Sequence, residues 1–220
     1  MQEHTREVVT LGPESRLSMA TILAAAFRHD PAFVRLFKGT TPDQDAHYRR
    51  FMATWVDNSL SEGHNLLGVS IDRQLVGVVG LAGLNGSAVR WSLRQILPAM
   101  LSMVWGLNIG VGLAMLKATR RPQLVPPDSC ELSMLAVSPE FQGMGVAREL
   151  LVAVEEKVAK DSAASGIYLY TTALSSLRFY EHCGYKVVGH AKAAGVDVYH
   201  LFRDSGAPSI SASRRSDDAP

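Results

Sequence analysis

The chain has 220 residues, 47% of them hydrophobic and 20% charged, with a formal net charge of +1. That length suits one domain with a continuous core, and the near-neutral balance, with no long run of like charge, argues against broad nucleic-acid binding. Cys130 and Cys183 form no CxxC pair and have no histidines at ligand spacing, so neither a disulfide framework nor a metal site is expected; with an N-terminus unlike a secretory signal, this points to a reducing, cytoplasmic setting.

Arg6 to Leu11 alternates weakly and reads as a first strand that Gly12-Pro13 ends. Ser15 can cap a helix to about Phe27, with a stripe at Leu17, Ile22, Leu23 and Ala26, and His29-Asp30-Pro31 breaks it because a residue before proline is pushed out of the helical region. A second helical region covers roughly Asp43 to Ser61. Leu66–Ile71 and Gln74–Leu81, rich in valine and leucine and joined by Asp72-Arg73, read as an antiparallel hairpin.

The next region, roughly 92–120, is apolar and helical in pattern. From Ile96 to Leu116 it holds no charged residue, which is the length a membrane-spanning helix needs. Pro98, Asn108 and several glycines interrupt it, and a span here would put two halves of one sheet on opposite sides of a bilayer. A buried helical segment inserted into the domain is therefore the expectation.

After a proline-rich connection, Glu131–Val137 is a strand that Ser138-Pro139 stops, and Val146–Lys160 is an amphipathic helix with apolar positions at Val146, Leu150, Leu151, Val154 and Val158. Gly166–Thr171 is a strand, and Ser175–Cys183 is a short helix that Gly184 terminates. Tyr185–Gly189 and Val196–Phe202 supply two last strands. The domain is thus expected over 1–204. From Ser205 to Pro220 the composition is that of a disordered tail.

Between strand and helix lies Phe141-Gln142-Gly143-Met144-Gly145-Val146-Ala147. A nucleotide pyrophosphate needs donors that carry no side-chain desolvation cost, and a helix N-terminus offers unpaired amides and a favourable dipole. Glycines let that backbone come close, so the amides of Gly143 to Ala147 can face one anion. A glycine pair alone is equally compatible with a plain strand-to-helix turn. Ala147-Arg148 does not complete a Walker loop, and the turn comes too late in the chain for a dinucleotide fold.

Gln142-x-x-Gly145-x-Ala147 resembles the signature of the GNAT superfamily of N-acetyltransferases, and Phe179-Tyr180-Glu181-His182-Cys183-Gly184-Tyr185 resembles that superfamily's closing segment. Together these motifs cover roughly Glu131 to Tyr199. Shorter matches at Ala24–Phe27, Asp30-Pro31 and Tyr170-Thr171-Thr172 are similar to the branch that includes puromycin N-acetyltransferase. The resemblance implies an α+β, three-layer domain with a mixed, mostly antiparallel sheet of six or seven strands, flanked by helices and splayed at the fourth and fifth strands. It also implies acetyl-CoA as co-substrate.

By the same resemblance, backbone groups of Leu135, Ala136 and Val137 would pair with the pantetheine amides, and Gln142, Gly143, Met144, Gly145, Val146 and Ala147 would hold the pyrophosphate. Tyr180 matches the tyrosine that protonates the departing thiolate, while Ala173 and Ser176 occupy the region where many members carry an asparagine; Ser176 is counted with the cofactor residues. Glu131 stands where some members carry a glutamate that takes the amine's proton through water, although a solvated strand end would look the same. The acceptor is expected to be a small-molecule amine beside the apolar 96–116 region, which could equally form a homodimer interface. An acetyl-CoA-binding regulatory module and a protein N-acetyltransferase stay open as alternatives.

Overall fold

A computed structural model describes residues 5–37, 42–84, 108–160 and 164–210. In chain order these form β1 (Arg6–Thr10), α1 (Arg16–Ala26), α2 (Pro31–Leu36), α3 (Pro42–Ser61), β2 (Asn65–Ile71), β3 (Gln74–Ala82) and α4 (Ile109–Ala118). The second half adds β4 (Cys130–Val137), α5 (Val146–Ala159), β5 (Gly166–Thr171), α6 (Leu174–His182), β6 (Lys186–Ala193) and β7 (Val196–Asp204).

The strands make one seven-stranded sheet in the order β1-β2-β3-β4-β5-β7-β6. Every pairing is antiparallel except β4–β5. One face carries a core of Leu150, Leu151 and Val154 from α5 with Leu132, Val137, Leu169 and Leu201 from the sheet. The other packs Met19 and Leu23 of α1 and Met52 and Val56 of α3 on Leu66, Val78, Met134 and Ala136. This is the three-layer, mixed-sheet fold expected from the resemblance. The β2–β3 hairpin turns on Asp72 and Arg73 at φ of 51° and 68°, the left-handed pair that a two-residue hairpin loop requires.

Three local expectations change. Asp30-Pro31 ends α1 but also starts α2: Asp30 Oδ1 accepts from the amides of Ala32 at 2.9 Å and Phe33 at 3.3 Å, and Pro31 takes the first helical position, which its fixed φ suits. The apolar region yields α4 over 109–118, but only Val111 of that helix is buried. Ile109, Leu113 and Leu116 are 52%, 62% and 65% exposed, so this part is not a buried segment; 92–107 lie outside the described residues. No helix among the described residues is long and apolar enough to cross a membrane.

The third change concerns the tail, which does not begin at Ser205. Ile210 is 1% exposed and belongs to the core beneath α5. Its amide donates to Glu155 Oε2 at 3.0 Å, and Arg148 Nη2 donates to its carbonyl at 2.7 Å. Arg203 pairs with Glu155 and donates to the carbonyls of Cys183 and Pro208. One isoleucine and a buried ion pair hold a segment whose composition otherwise reads as unstructured.

Candidate active site

The site begins with an irregularity in β4. Against β3, Leu81 faces Leu132 and Gly80 faces Met134, so Ser133 has no partner and forms a β-bulge. The bulge reverses which residues face each core: Cys130 and Leu132 lie beneath α5, whereas Met134 and Ala136 face α1 and α3. Parallel pairing to β5 consists of Cys130–Ile167 and Glu131–Tyr168, stopping just before the bulge. Beyond it the two strands part.

The Ser138 amide donates to the Val76 carbonyl at 2.8 Å, which sets the phase of the ladder. In an antiparallel pair, alternate residues turn both backbone groups to the same neighbour. Ala136 therefore bonds to β3, and its expected place among the pantetheine partners is corrected. Leu135 and Val137 turn theirs into the gap. The Val137 carbonyl already accepts from Gln142 Nε2 at 3.1 Å, which ties the glycine turn to the end of β4.

That turn leads into α5. Gly143 and Gly145 have φ of 76° and 80°, and a Cβ on either would meet nothing within 4 Å, so the left-handed backbone rather than crowding is what calls for glycine. Gly145 is the N-cap and no side chain caps the helix. The first-turn amides thus lack intrahelical partners, as an anion site requires. Val146 points into the core at 1% exposure, Ala147 packs partly against it, and Met144 stands 55% exposed.

Tyr180 lies on α6, which packs on β5. It is 7% exposed, with its ring 5.3 Å from Phe179 and 5.5 Å from Tyr185. Among the described residues its hydroxyl has no hydrogen-bond partner. Burial pushes its pKa up, so it is a neutral phenol at ordinary pH. Ser176 sits one helical turn before it on the same face and is partly buried. Tyr180 shares a cluster with Leu135, Val137 and Phe141 and thus lies on the α5 side of the sheet.

Glu131 lies on the opposite side. Desolvation raises its pKa and Arg121 partly offsets this. Along β5 its neighbours are Tyr168 and Tyr170, both with raised pKa values: burial is the main cause, and the negative potential of Glu131 adds to it. Tyr170 reaches about 12 through crowding and the carboxylates of Glu131 and Asp30, although the residue remains 38% exposed. The Arg121 guanidinium lies 5.0 Å from the centroid of the Tyr168 ring and donates to the Ser129 carbonyl at 2.9 Å. His200 lies 2.9 Å from the Ala118 carbonyl through Nε2, so that nitrogen carries the proton and Nδ1 accepts from the Tyr168 hydroxyl at 2.7 Å. Asp30 completes the group, its Oδ2 accepting from Thr172 Oγ1 at 2.8 Å.

Open strand edge, amide-lined turn and buried phenol thus converge from β4, α5 and α6. The model of the acetyltransferase (GNAT) family matches residues 30–185. The chain belongs to that family. Among individual relatives, N-alpha-acetyltransferase RimI of Mycobacterium tuberculosis is 34% identical over 91 residues, 38% of this chain and 54% of that protein. The chain therefore spans about half the length of this curated relative.

Solved GNAT-fold structures extend the likeness over nearly the whole chain. A protein of Corynebacterium glutamicum described as histone acetyltransferase HPA2 and related acetyltransferase gives a TM-score of 0.66 at 16% identity, over 93% of this chain and 98% of that one. The PaiA N-acetyltransferase of Thermoplasma acidophilum, solved with coenzyme A, gives 0.57 at 15% identity over 91% and 99%. At such identities the likeness concerns the fold.

Sequence motifs pointed to Gln142 to Ala147 and to Tyr180, but did not bring together the group on the other face. Asp30, Arg121, the Tyr168–Thr172 segment and His200 come from four separate stretches, and no single motif joins them. The signal available was the polar character of positions 168, 170 and 200, residues that alternate with apolar Leu169 and Leu201.

Proposed function

We propose that the chain transfers the acetyl group of acetyl-CoA to a primary amine of a small molecule, by direct attack and without an acyl-enzyme. The observation that carries this is the opening of β4 from β5 at the Ser133 bulge, in line with the uncapped N-terminus of α5. A strand-like pantetheine arm fits the backbone groups of Leu135 and the amide of Val137, whose carbonyl is already held by Gln142. A pyrophosphate fits the amides of Gly143 to Ala147. The co-substrate supplies the activated thioester; the chain's own groups position it and move protons.

An alkyl amine of pKa about 10.4 arrives as an ammonium and must lose a proton before it can attack. Glu131 is the base in this reading, its raised pKa favouring proton uptake. Asp30 and Tyr170 line the same face and suit a cation awaiting deprotonation. Tyr180, neutral and across the sheet, gives its proton to the leaving thiolate. Ser176 borders the arm one turn earlier.

A small acceptor is supported by the resemblance to the puromycin N-acetyltransferase branch and by the aromatic wall around Asp30, where Phe33 lies 5.6 Å from Phe27 and 6.0 Å from Trp55. The stretch shared with RimI favours a second reading, a protein amine. Thiol release from acetyl-CoA across aminonucleosides, polyamines, amino acids and N-terminal peptides separates them. Release with peptides alone would replace the small-molecule reading, and release with no amine would leave a binding module.

A further inference from the structure

Arg6 opens β1, three strands from the gap in the sheet order, yet its guanidinium lies at the glycine turn. Nη2 donates to the Met144 carbonyl at 3.0 Å, and Nε pairs with Glu149 in the first turn of α5 at 3.0 Å. The two side chains are 34% and 28% exposed. A partly exposed ion pair of this kind contributes little to stability by itself. Its effect lies in what the two partners do at the turn.

The peptide joining Met144 to Gly145 is trans and planar, so its carbonyl and its N–H point in opposite directions. Holding the carbonyl on Arg6 aims the Gly145 N–H away from Arg6, and among the described residues that N–H has no acceptor. The flanking Gly143 and Gly145 are both left-handed, a region in which glycine leaves a peptide free to rotate. The Arg6 contact selects one orientation. Glu149 in turn suits the positive end of α5 but repels a phosphate placed there, and Arg6 neutralises it.

We infer that Arg6 is a positioning residue for the pyrophosphate of CoA: it fixes the Met144 peptide in the receiving orientation and cancels the charge of Glu149. This rests on the acetyl-CoA reading of the site and adds a residue outside both the glycine turn and the span that the family model matches.

The test uses the full chain and isothermal titration calorimetry with two probes: CoA, and S-acetylpantetheine, which carries the thioester arm without the pyrophosphate. Arg6→Ala is expected to raise the Kd for CoA by roughly tenfold, the scale of a charge-assisted hydrogen bond, and to leave S-acetylpantetheine unchanged. Arg6→Lys keeps the charge but not the fork and is expected to recover part of the loss. Arg6→Ala with Glu149→Gln is expected to recover the part due to repulsion. Unchanged CoA binding by Arg6→Ala, or an equal loss with both probes, overturns the assignment. Failure of the unaltered protein to bind CoA overturns the acetyl-CoA reading instead.

Discussion

Thr172 Oγ1 donates to Asp30 Oδ2 at 2.8 Å, across 142 residues of chain, and joins the end of β5 to the cap of α2. Through that bond α2 is fixed to the strand that carries Tyr168 and Tyr170, on the face proposed for the acceptor. Asp30 thus has two duties, a cap through Oδ1 and a charge beside Tyr170. Asp30→Asn preserves the cap and removes the charge. It is expected to raise the KM for the amine several-fold while leaving CoA affinity unchanged, whereas Asp30→Ala is expected also to lose about 1 kcal/mol of stability. Steady-state kinetics with chemical denaturation of both variants checks the division.

Tyr180→Phe removes only a hydroxyl, which has no hydrogen-bond partner among the described residues, so the core is expected to keep its stability. Turnover of acetyl-CoA is expected to fall by about a hundredfold, the scale of a lost general acid, with CoA affinity unchanged. Equal, negligible effects on turnover and binding would remove Tyr180 from the chemistry.

Glu131 gives a prediction with a sign. Its pKa in the fold lies above the ordinary carboxylate value, so the fold binds its proton more tightly than the unfolded chain does. The stabilisation is present at low pH and is lost as pH rises through the raised value. Glu131→Gln, fixed in the neutral state, is therefore expected to raise the Tm at pH 7 relative to the parent, with the difference shrinking toward pH 4. Activity is expected to move oppositely. The acid limb of the kcat/KM profile, where Glu131 becomes protonated, should disappear in Glu131→Gln together with most of the activity.

Ile210 tests the docked C-terminal segment. Ile210→Ala leaves a cavity beneath α5 and is expected to cost about 2–5 kcal/mol, read by urea denaturation. Arg203→Met leaves Glu155 buried without its cation and is expected to cost about 3–5 kcal/mol. Ending the chain after Asp204 should destabilise it at least as much as Ile210→Ala; no loss would mean that the segment contributes nothing to the fold.

What could be read without coordinates were features carried by neighbouring residues. The spacing of Val146, Leu150, Leu151, Val154 and Val158 places α5 within a residue of its observed end, because burial of one helical face imposes that period. The Asp72-Arg73 hairpin and the Gly184 stop of α6 are likewise local, set by backbone conformations that few residues adopt. The family resemblance extended this to the sheet and to the fourth-strand opening.

Only the tertiary structure decided the rest. Ser133 is an ordinary strand residue until the register against β3 leaves it without a partner, and the opening of β4 follows from that. Ile210 in a polar tail, Asp30 with Thr172, and Arg6 with Met144 are relationships between distant parts of the chain, and composition and periodicity carry no record of them. The sequence by itself determined where the helices and strands form, since those depend on neighbours a few residues away. Which polar groups meet at the gap was decided by the packing of both helical layers on one twisted sheet.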